Sequence, residues 1–305
     1  MPFTAVTPRE CGMTERETVA GHAPSLLPAG KWSLVFHDEF DGKAGEGPDP
    51  SKWNYRLNFW GYRSPAFTDR GAVLDGESHL KIHLLRDGDN FSSAHLQTGS
   101  LTFDNPRDET SGSFWPFGAK DPAKFMHRFG FYEIRCRLPK NDGWHAAFWL
   151  QAPGIGSHPD PAVAGVECDI MENYRQHEYG TMICGNGWGG YGAEGRWFGH
   201  FEYPYIETPD GWHTYAVDWT PQGYTFYADG KMVGQQLAPE CPVSQVEQFI
   251  LVSTECHGYN RVFRERGEAG EGAGCCSGAP VPALFSATLP DCFEVDHVRV
   301  YDRVE

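Results

Sequence analysis

The stretch FGFYEIRCRLPK, residues 129–140, has the clearest strand pattern of the chain. Tyr132, Ile134, Cys136 and Leu138 alternate there with charged residues. Successive side chains of a β-strand point to opposite faces, so this period of two predicts a strand with one buried and one polar face. The stretch therefore favours a sheet that packs on one side against a hydrophobic core.

The same alternation recurs on both sides of this stretch. It is present in HLKIHLL (79–85), in HTYAVDWTPQGYTFYADGK (213–231) and in FEVDHVRVYD (293–302). The second of these contains turn sequences at 221–223 and 229–230 that suit hairpins. Almost no segment has a sustained 3.6-residue apolar stripe. Strands without intervening helices predict an all-β fold of two packed antiparallel sheets, a sandwich or jelly roll.

The pattern predicts one domain with an irregular leading segment. Residues 1–30 are polar, contain proline and lack periodicity, so we expect a loosely ordered N-terminal arm. The Gly- and Pro-rich stretch GEAGEGAGCCSGAPVPA (267–283) is expected to be a long surface loop, because the strand after it is too short to found a second core. Residues 31–305 are therefore predicted to form a single domain.

Charge and length limit the classes of partner. The 305-residue chain has a formal net charge of −16 and is 40% hydrophobic, enough for a sizeable core. This acidity argues against nucleic acid or an anionic membrane surface as a partner, and it disfavours strongly sulfated polymers. No apolar run approaches membrane-spanning length. We expect a monomer that binds neither nucleic acid nor membranes.

The cellular compartment stays open. The first 30 residues have no continuous apolar core like that of a signal peptide, so either the protein stays inside the cell or a leader was removed. The nine cysteines, including the adjacent Cys275 and Cys276, form no regular framework and are interpreted as scattered buried thiols rather than a disulfide scaffold.

A cluster of acids lies in GVECDIMENY, residues 165–174, where Glu167, Asp169 and Glu172 have apolar neighbours. On a regular strand Glu167 and Asp169 share a face, whereas Glu172 points to the other. A β-bulge between Asp169 and Glu172 adds one residue and returns Glu172 to the face of the other two. The residues between them are apolar and suit the side that faces the core.

The spacing of these acids is compatible with glycosidase chemistry. With a bulge, the Cα atoms of Glu167 and Glu172 are about 13 Å apart, and side chains leaning inward leave about 5 Å between the carboxyl groups, as in retaining glycoside hydrolases. Mutual repulsion would keep one acid ionised and the other protonated. A solvated acidic face on an edge strand and a cation site remain alternative interpretations.

Six stretches, in this order, resemble glycoside hydrolase family 16, the endo-β-glucanase, laminarinase, agarase and carrageenase group. The stretches are FHDEFDG (36–42), PSKWNY (50–55), FGFYEIRCRLPKNDGWHAAFWLQ (129–151), VECDIMEN (166–173), WHTYAVDWTPQGYTFYADGK (212–231) and FEVDHVRVYD (293–302). The resemblance covers about residues 31–303. The Glu-x-Asp-x-x-Glu motif is of the bulged type that laminarinases and agarases have.

The resemblance implies a jelly roll of concanavalin type whose concave face forms a cleft for an extended polysaccharide. It implies that Glu167 is the nucleophile, Asp169 its partner and Glu172 the general acid and then base of an endo-acting, retaining glycosidase. A β-1,3-glucan such as laminarin is the expected substrate. Alternatives are an agar- or porphyran-type galactan, transglycosylation, or lectin-like sugar binding without catalysis. Members of the family are usually secreted or periplasmic.

Further substrate contacts are implied by the same resemblance. Trp144 and Trp149 match tryptophans of the cleft, although core filling is an alternative for Trp149. His145 replaces a proline of many relatives, and Asn186 or a neighbour takes the place of a histidine on the strand after the acids. Trp188 is expected on a loop over the sugar, or in a plain hairpin turn.

Cofactor sites have weaker support. GNGWGG (185–190) fits Gly-x-Gly-x-x-Gly, but no helix follows it, which excludes a dinucleotide turn. The histidines lack HExxH spacing, so a transition-metal site is not expected. The resemblance implies a structural calcium held by Glu39 and Asp296 with a carbonyl of Gly76; a surface acid pair without metal is the alternative. No cofactor is expected for catalysis.

Overall fold

The computed structural model describes residues 4–59, 62–63, 66–99, 122–155, 158–174, 181–188, 196–259 and 279–304. Within these ranges the chain forms two large, stacked β-sheets, called sheet A and sheet B below. The prediction of an all-β sandwich is confirmed. No helix in the described ranges is long and apolar enough to cross a membrane.

The strands and helices of the described residues are short and follow one another closely. In chain order the strands are β1 (Thr4–Ala5), β2 (Arg9–Glu10), β3 (Thr14–Arg16), β4 (Ser25–Leu27), β5 (Lys31–Asp38), β6 (Asn54–Tyr55), β7 (Asn58–Phe59), β8 (Tyr62–Arg63), β9 (Phe67–Thr68), β10 (Ala72–Leu74), β11 (Leu80–His83), β12 (Leu85–Asp87), β13 (Asn90–Gln97), β14 (Gly130–Arg137), β15 (Trp144–Gln151), β16 (Glu167–Tyr174), β17 (Thr181–Trp188), β18 (Arg196–Pro204), β19 (His213–Thr220), β20 (Gly223–Ala228), β21 (Lys231–Leu237), β22 (Phe249–Cys256) and β23 (Cys292–Val304). The helices are α1 (Pro161–Ala164) and α2 (Pro282–Phe285).

The strand order places β16 in the middle of sheet A. That sheet runs β1-β18-β17-β16-β15-β22-β13-β12, and β6 and β9 also pair with β13. Sheet B runs β10-β11-β23-β14-β19-β20-β21-β2, and β5 also pairs with β23. The pairs β1–β18 and β9–β13 are parallel, and the long neighbours of both sheets pair antiparallel. Sequence-distant strands therefore lie side by side, as a jelly roll requires.

The main hydrophobic core fills the space between the two sheets. Sheet A contributes Phe148 and Leu150, and sheet B contributes Ile134, Cys136 and Val217, all at 0% exposure. Burying a side chain of this size contributes about 1.5–3 kcal/mol. Since alternate residues of each strand point away from this core, the outer face of sheet A is left for polar side chains.

The leading segment differs from the expectation of a loosely ordered arm. In its described part, residues 4–30, β1 extends the edge of sheet A and β2 extends the edge of sheet B. Strands β3 and β4 pair with each other, and Leu27 is buried. These strands are two or three residues long, and β1 and β2 take partners about 200 residues away, so they leave no local periodicity in the sequence.

The predicted surface loop at 267–283 lies almost wholly outside the described residues, and Cys275 and Cys276 with it. Its last residues lead into α2, whose Leu284 is buried. This helix covers a second, smaller hydrophobic cluster beside the main core.

Candidate active site

A β-bulge in β16 turns all three acids of the motif to the outer face of sheet A. Glu167, Asp169 and Glu172 lie opposite every second residue of β15, from Gln151 to Ala147. Pairing with β17 also shifts by one residue between Asp169 and Glu172. Residues directly opposite on neighbouring strands share a face, so the predicted bulge is present and the three acids point the same way.

The bulge also directs the apolar residues of the motif into the hydrophobic core. Cys168, Ile170 and Met171 all point between the sheets at 0% exposure. The span from Glu167 to Glu172 equals four residue steps of β15, which is about 13 Å between Cα atoms. The sequence analysis expected the same Cα–Cα span for Glu167 and Glu172.

Burial dominates the ionisation of the motif. Glu167 and Asp169 are 8% and 4% exposed, and the Glu172 side chain is 12% exposed. Burial raises the pKa of Glu167 well above its usual value, and the neighbouring charges of Asp169 and Glu172 raise it further. Burial likewise raises the pKa of Asp169, opposed by a hydrogen bond from His200. Three acids this close hold on to at least one proton more readily than separate ones do.

The family model for glycosyl hydrolases family 16 matches residues 81–244, more than half of the chain. The chain belongs to glycosyl hydrolase family 16. The matched residues include β16 with its three acids, so the bulged motif lies inside the family region.

Relatives with assigned names agree with the family. The chain is 24% identical over 316 residues to "Glucan endo-1,3-beta-glucosidase A1" of Niallia circulans, covering 95% of this chain but 40% of that protein. It is 27% identical over 191 residues to "Beta-1,3-glucan-binding protein" of Penaeus monodon, covering 57% of this chain and 42% of that protein. The chain thus spans about two fifths of the length of these relatives.

A solved structure supports the fold. The laminarinase catalytic domain of Thermotoga maritima MSB8 superposes with a TM-score of 0.62 at 21% identity, covering 90% of this chain and 99% of that one. At this identity the similarity establishes the two-sheet jelly roll of the chain.

A buried arginine, Arg56, lies close to the acids of the family 16 motif, and the sequence analysis did not identify it. Arg56 follows β6 and is 3% exposed; its Nη1 donates to Gln151 Oε1 at 3.1 Å. The other end of the amide, Gln151 Nε2, donates to Glu167 Oε2 at 3.5 Å. The charge of Arg56 therefore opposes the burial of Glu167 and favours its ionised form. No motif marks this residue, because its segment joins the site only through the fold.

His145, expected as a substrate contact, lies beside Glu172. Its Nε2 is 4.0 Å from Glu172 Oε1, and its ring stacks on His257 at 5.3 Å between centroids. Burial lowers the pKa of His145 to about 4, so the imidazole is neutral near pH 7. Opposite it on β22 lies Glu255, a carboxyl that the sequence analysis missed; burial raises the pKa of Glu255 to about 7.

The two tryptophans of β15 point in opposite directions. Trp149 lies on the outer face with the acids, 8% exposed, and its Nε1 donates to Ser253 Oγ at 3.0 Å. Trp144 is at 0% exposure, packed with Phe91 and Leu284 in the smaller cluster. The expectation that Trp144 contacts substrate is wrong. Five positions separate the two residues, and an odd separation on a regular strand places side chains on opposite faces.

Asn186 and Trp188 also depart from the expected substrate contacts. Asn186 is at 0% exposure between the sheets, where its Nδ2 donates to Gln236 Oε1 of sheet B at 2.5 Å. The expectation that it contacts substrate is wrong. Trp188 ends strand β17 and packs against the main core, so the strand, rather than a loop or turn, carries it. Residues 189–190 lie outside the described part.

The side chains expected to bind calcium pair with arginines instead. Both oxygens of Glu39 accept from Arg299, at 2.9 Å from Nε and 2.6 Å from Nη2. Asp296 forms a hydrogen-bonded ion pair with Arg135. Arginine nitrogens therefore bind both oxygens of Glu39 and one oxygen of Asp296, which leaves these side chains poorly suited to calcium.

Two groups of described residues bring possible metal ligands within 4.8 Å of one another: Asp75, His79 and Glu294, and Asp169, Glu172 and His200. In the first, the Lys81 ammonium lies 3.2 Å from Asp75 and 3.5 Å from Glu294. In the second, His200 Nε2 and Asp169 Oδ2 are hydrogen-bonded to each other at 3.2 Å.

Proposed function

We propose that the chain is an endo-acting, retaining glycosidase that hydrolyses a β-linked polysaccharide, with a β-1,3-glucan of laminarin type as substrate. The observation that carries this proposal is the bulge that brings Glu172 to the face of Glu167 and Asp169. Membership of family 16 and the names of the glucanase relatives support the substrate class.

Glu167 and Glu172 have different roles in this reaction. Glu172 protonates the glycosidic oxygen while Glu167 attacks the anomeric carbon, which forms a covalent glycosyl-enzyme and releases the leaving chain. Water then attacks the same carbon, Glu172 takes its proton, and Glu167 is released as a carboxylate. The protein must therefore hold Glu167 ionised and Glu172 protonated at the start of each turnover.

Part of the surroundings favours this division, although burial and the charges of Asp169 and Glu172 together raise the pKa of Glu167 well above its usual value. Burial and like charges favour the protonated forms, so an ionised nucleophile needs a nearby cation. Arg56 supplies that charge to Glu167, through Gln151 and through space. Since ionised neighbours disfavour further ionisation, charges on Glu167 and Asp169 favour the proton on Glu172.

Paired substitutions test the assignment. Glu167→Gln is expected to abolish release of reducing ends from laminarin, because no nucleophile remains, and Glu172→Gln to lower kcat by about 10²–10⁴-fold. The exposed Glu77→Gln is the matched control and should leave turnover unchanged. Circular dichroism and thermal midpoints establish that each variant is folded. Turnover retained by folded Glu167→Gln would refute the assignment.

The glucan-binding relative gives a second candidate, which is sugar binding without cleavage. Incubation with laminarin separates the two: binding without new reducing ends would support the binding function. A screen over laminarin, mixed-linkage glucan, agarose, porphyran and carrageenan identifies the polysaccharide, and the chain lengths of the products distinguish hydrolysis from transglycosylation.

A further inference from the structure

A histidine from two strands away reaches the middle acid of the motif. His200 lies on β18 and Asp169 on β16, and both are opposite Gly185 of β17, one on each side. Neighbouring strands are about 4.8 Å apart, so the two backbones are separated by about 10 Å. The side chains nevertheless meet over Gly185, with His200 Nε2 3.2 Å from Asp169 Oδ2.

The absence of a side chain at Gly185 makes this contact possible. A Cβ at this position would lie 2.7 Å from His200 Cδ2 and 2.8 Å from the Gly199 carbonyl oxygen. Distances this short require either the imidazole or the backbone of β18 to move. The φ of Gly185 is +152°, which also favours glycine.

The backbone beside His200 is fixed from the other sheet. Gln236 Nε2 donates to the Gly199 carbonyl oxygen at 2.7 Å, and Gln236 Oε1 accepts from Asn186. On the far side of β18, β1 pairs with Phe201 and Glu202. The strand that carries His200, β18, is therefore paired with β17 and β1 at its two edges and hydrogen-bonded to Gln236 of sheet B.

We propose that His200 is a positioning residue that acts across the Gly185 gap to orient Asp169 and keep it ionised. This proposal rests on the proposed function. A donated N–H stabilises the carboxylate over the carboxylic acid, which offsets the burial of Asp169. The ionisable groups that face His200 in the described residues are Asp169 and Glu172 from β16 and Glu202 on its own strand; β17 and β1 present none there.

The direct test measures the ionisation of Asp169 without using activity. Carboxyl-detected ¹³C NMR on aspartate-labelled protein, with Asp169→Asn for assignment, gives the titration midpoint of Asp169. In His200→Leu the midpoint should rise by roughly one pH unit, because the donor is lost. His200→Gln keeps an N–H donor and should restore part of the shift. Exposed His158→Gln is the matched control.

Gly185→Ala provides a second variant that changes no ionisable group. Its methyl group should displace the imidazole and raise the same midpoint, whereas Gly88→Ala should not. Gly88 also has positive φ, +60°, but a Cβ there meets nothing within 4 Å. An unchanged Asp169 midpoint in folded His200→Leu, or in folded Gly185→Ala if the first does not fold, would overturn the proposal.

Kinetics separate this proposal from the proposed function. If Asp169 must be ionised, the acidic limb of the kcat/KM profile on laminarin should move up by about the same one unit in His200→Leu. A wild-type protein that cleaves no polysaccharide would refute the function, while the NMR midpoint would still decide the contact between His200 and Asp169.

Discussion

At the scale of single residues, the three acids were predictable and the basic residues near them, Arg56 and His200, were not. Glu167, Asp169 and Glu172 lie in one short motif, whereas Arg56 and His200 come from segments more than 100 and nearly 30 residues away from it. Neither Arg56 nor His200 lies in a recognisable sequence motif, because each comes close to the acids only through the order of the strands in the sheet. A sequence therefore displays the clustered acids of this site more readily than the basic residues that act on their charge.

Arg56 should control the acidic side of the pH profile. Replacing it with Gln removes the charge that opposes burial, so the pKa of Glu167 rises further and its ionised form is lost at a higher pH. We expect the acidic limb of kcat/KM to move up by roughly one pH unit or more. The exposed Arg70→Gln serves as control. A limb that does not move would show that Arg56 does not act on the nucleophile.

Trp144 should matter for stability rather than for substrate. Trp144→Ala removes a fully buried ring from the smaller cluster and is expected to cost about 3–5 kcal/mol of unfolding free energy. The folded fraction should keep its KM for laminarin, since the ring points away from the acids. Denaturant unfolding and initial rates measure the two effects; a raised KM at unchanged stability would contradict this role.

At the scale of elements, the bulge in β16 was predictable because two requirements conflicted. Regular alternation would send Glu172 towards the core and Met171 away from it, and one extra residue corrects both positions. The short strands of the leading segment had no such local requirement. The pairing partners of β1 and β2 are the edges of the two large sheets, which a one-dimensional pattern does not reveal.

Deleting Ile170 should preserve the facing of the acids. The shortened segment Glu-Cys-Asp-Met-Glu alternates regularly, so all three acids still share one face, although loss of the buried Ile170 side chain should cost about 2–5 kcal/mol of stability. We expect activity within about a hundredfold of wild type.

The control for this deletion is removal of both Ile170 and Met171, after which regular alternation turns Glu172 inward and kcat should fall by about 10²–10⁴-fold. Reducing-end assays on both variants measure the difference. Equal activity in the two proteins would show that the facing of Glu172 is unimportant.

At the scale of the whole molecule, the leading segment closes over a buried ion pair whose acid, Glu39, the resemblance implied as a calcium ligand. Arg299 binds Glu39 through two nitrogens and also donates to the Ala23 carbonyl and Ser25 Oγ. In the structure the partner of Glu39 is a cation of the same chain, Arg299. A match of Glu39 to a family pattern could not reveal that this carboxylate pairs with Arg299.

Breaking this pair should be costly. Arg299→Met leaves Glu39 buried without its cation and should lower the free energy of unfolding by about 3–5 kcal/mol. Adding Glu39→Gln should recover part of the loss. Arg303→Met, on the same strand but half-exposed beside Asp218, should cost about 0–1 kcal/mol. Denaturant titrations of the four proteins provide the comparison.

The pH dependence of this stability has a definite sign. Burial alone would raise the pKa of Glu39, but Arg299 outweighs it and the pKa lies below its usual value. The pair therefore stabilises the fold fully above the unfolded pKa, about 4.3, and this contribution is lost as pH falls through the folded value. The difference between wild type and Arg299→Met should shrink in that acidic range; a constant difference would exclude the linkage.

The place of β23 has a consequence for biosynthesis. This strand lies between β11 and β14 and also pairs with β5, so residues 292–304 join three strands from the first half of the chain. While the ribosome is still translating the intervening segment, the edges of those strands that pair with β23 lack their partner. Strands paired over such sequence separations form slowly, and their unpaired edges are prone to aggregate until the central strand emerges.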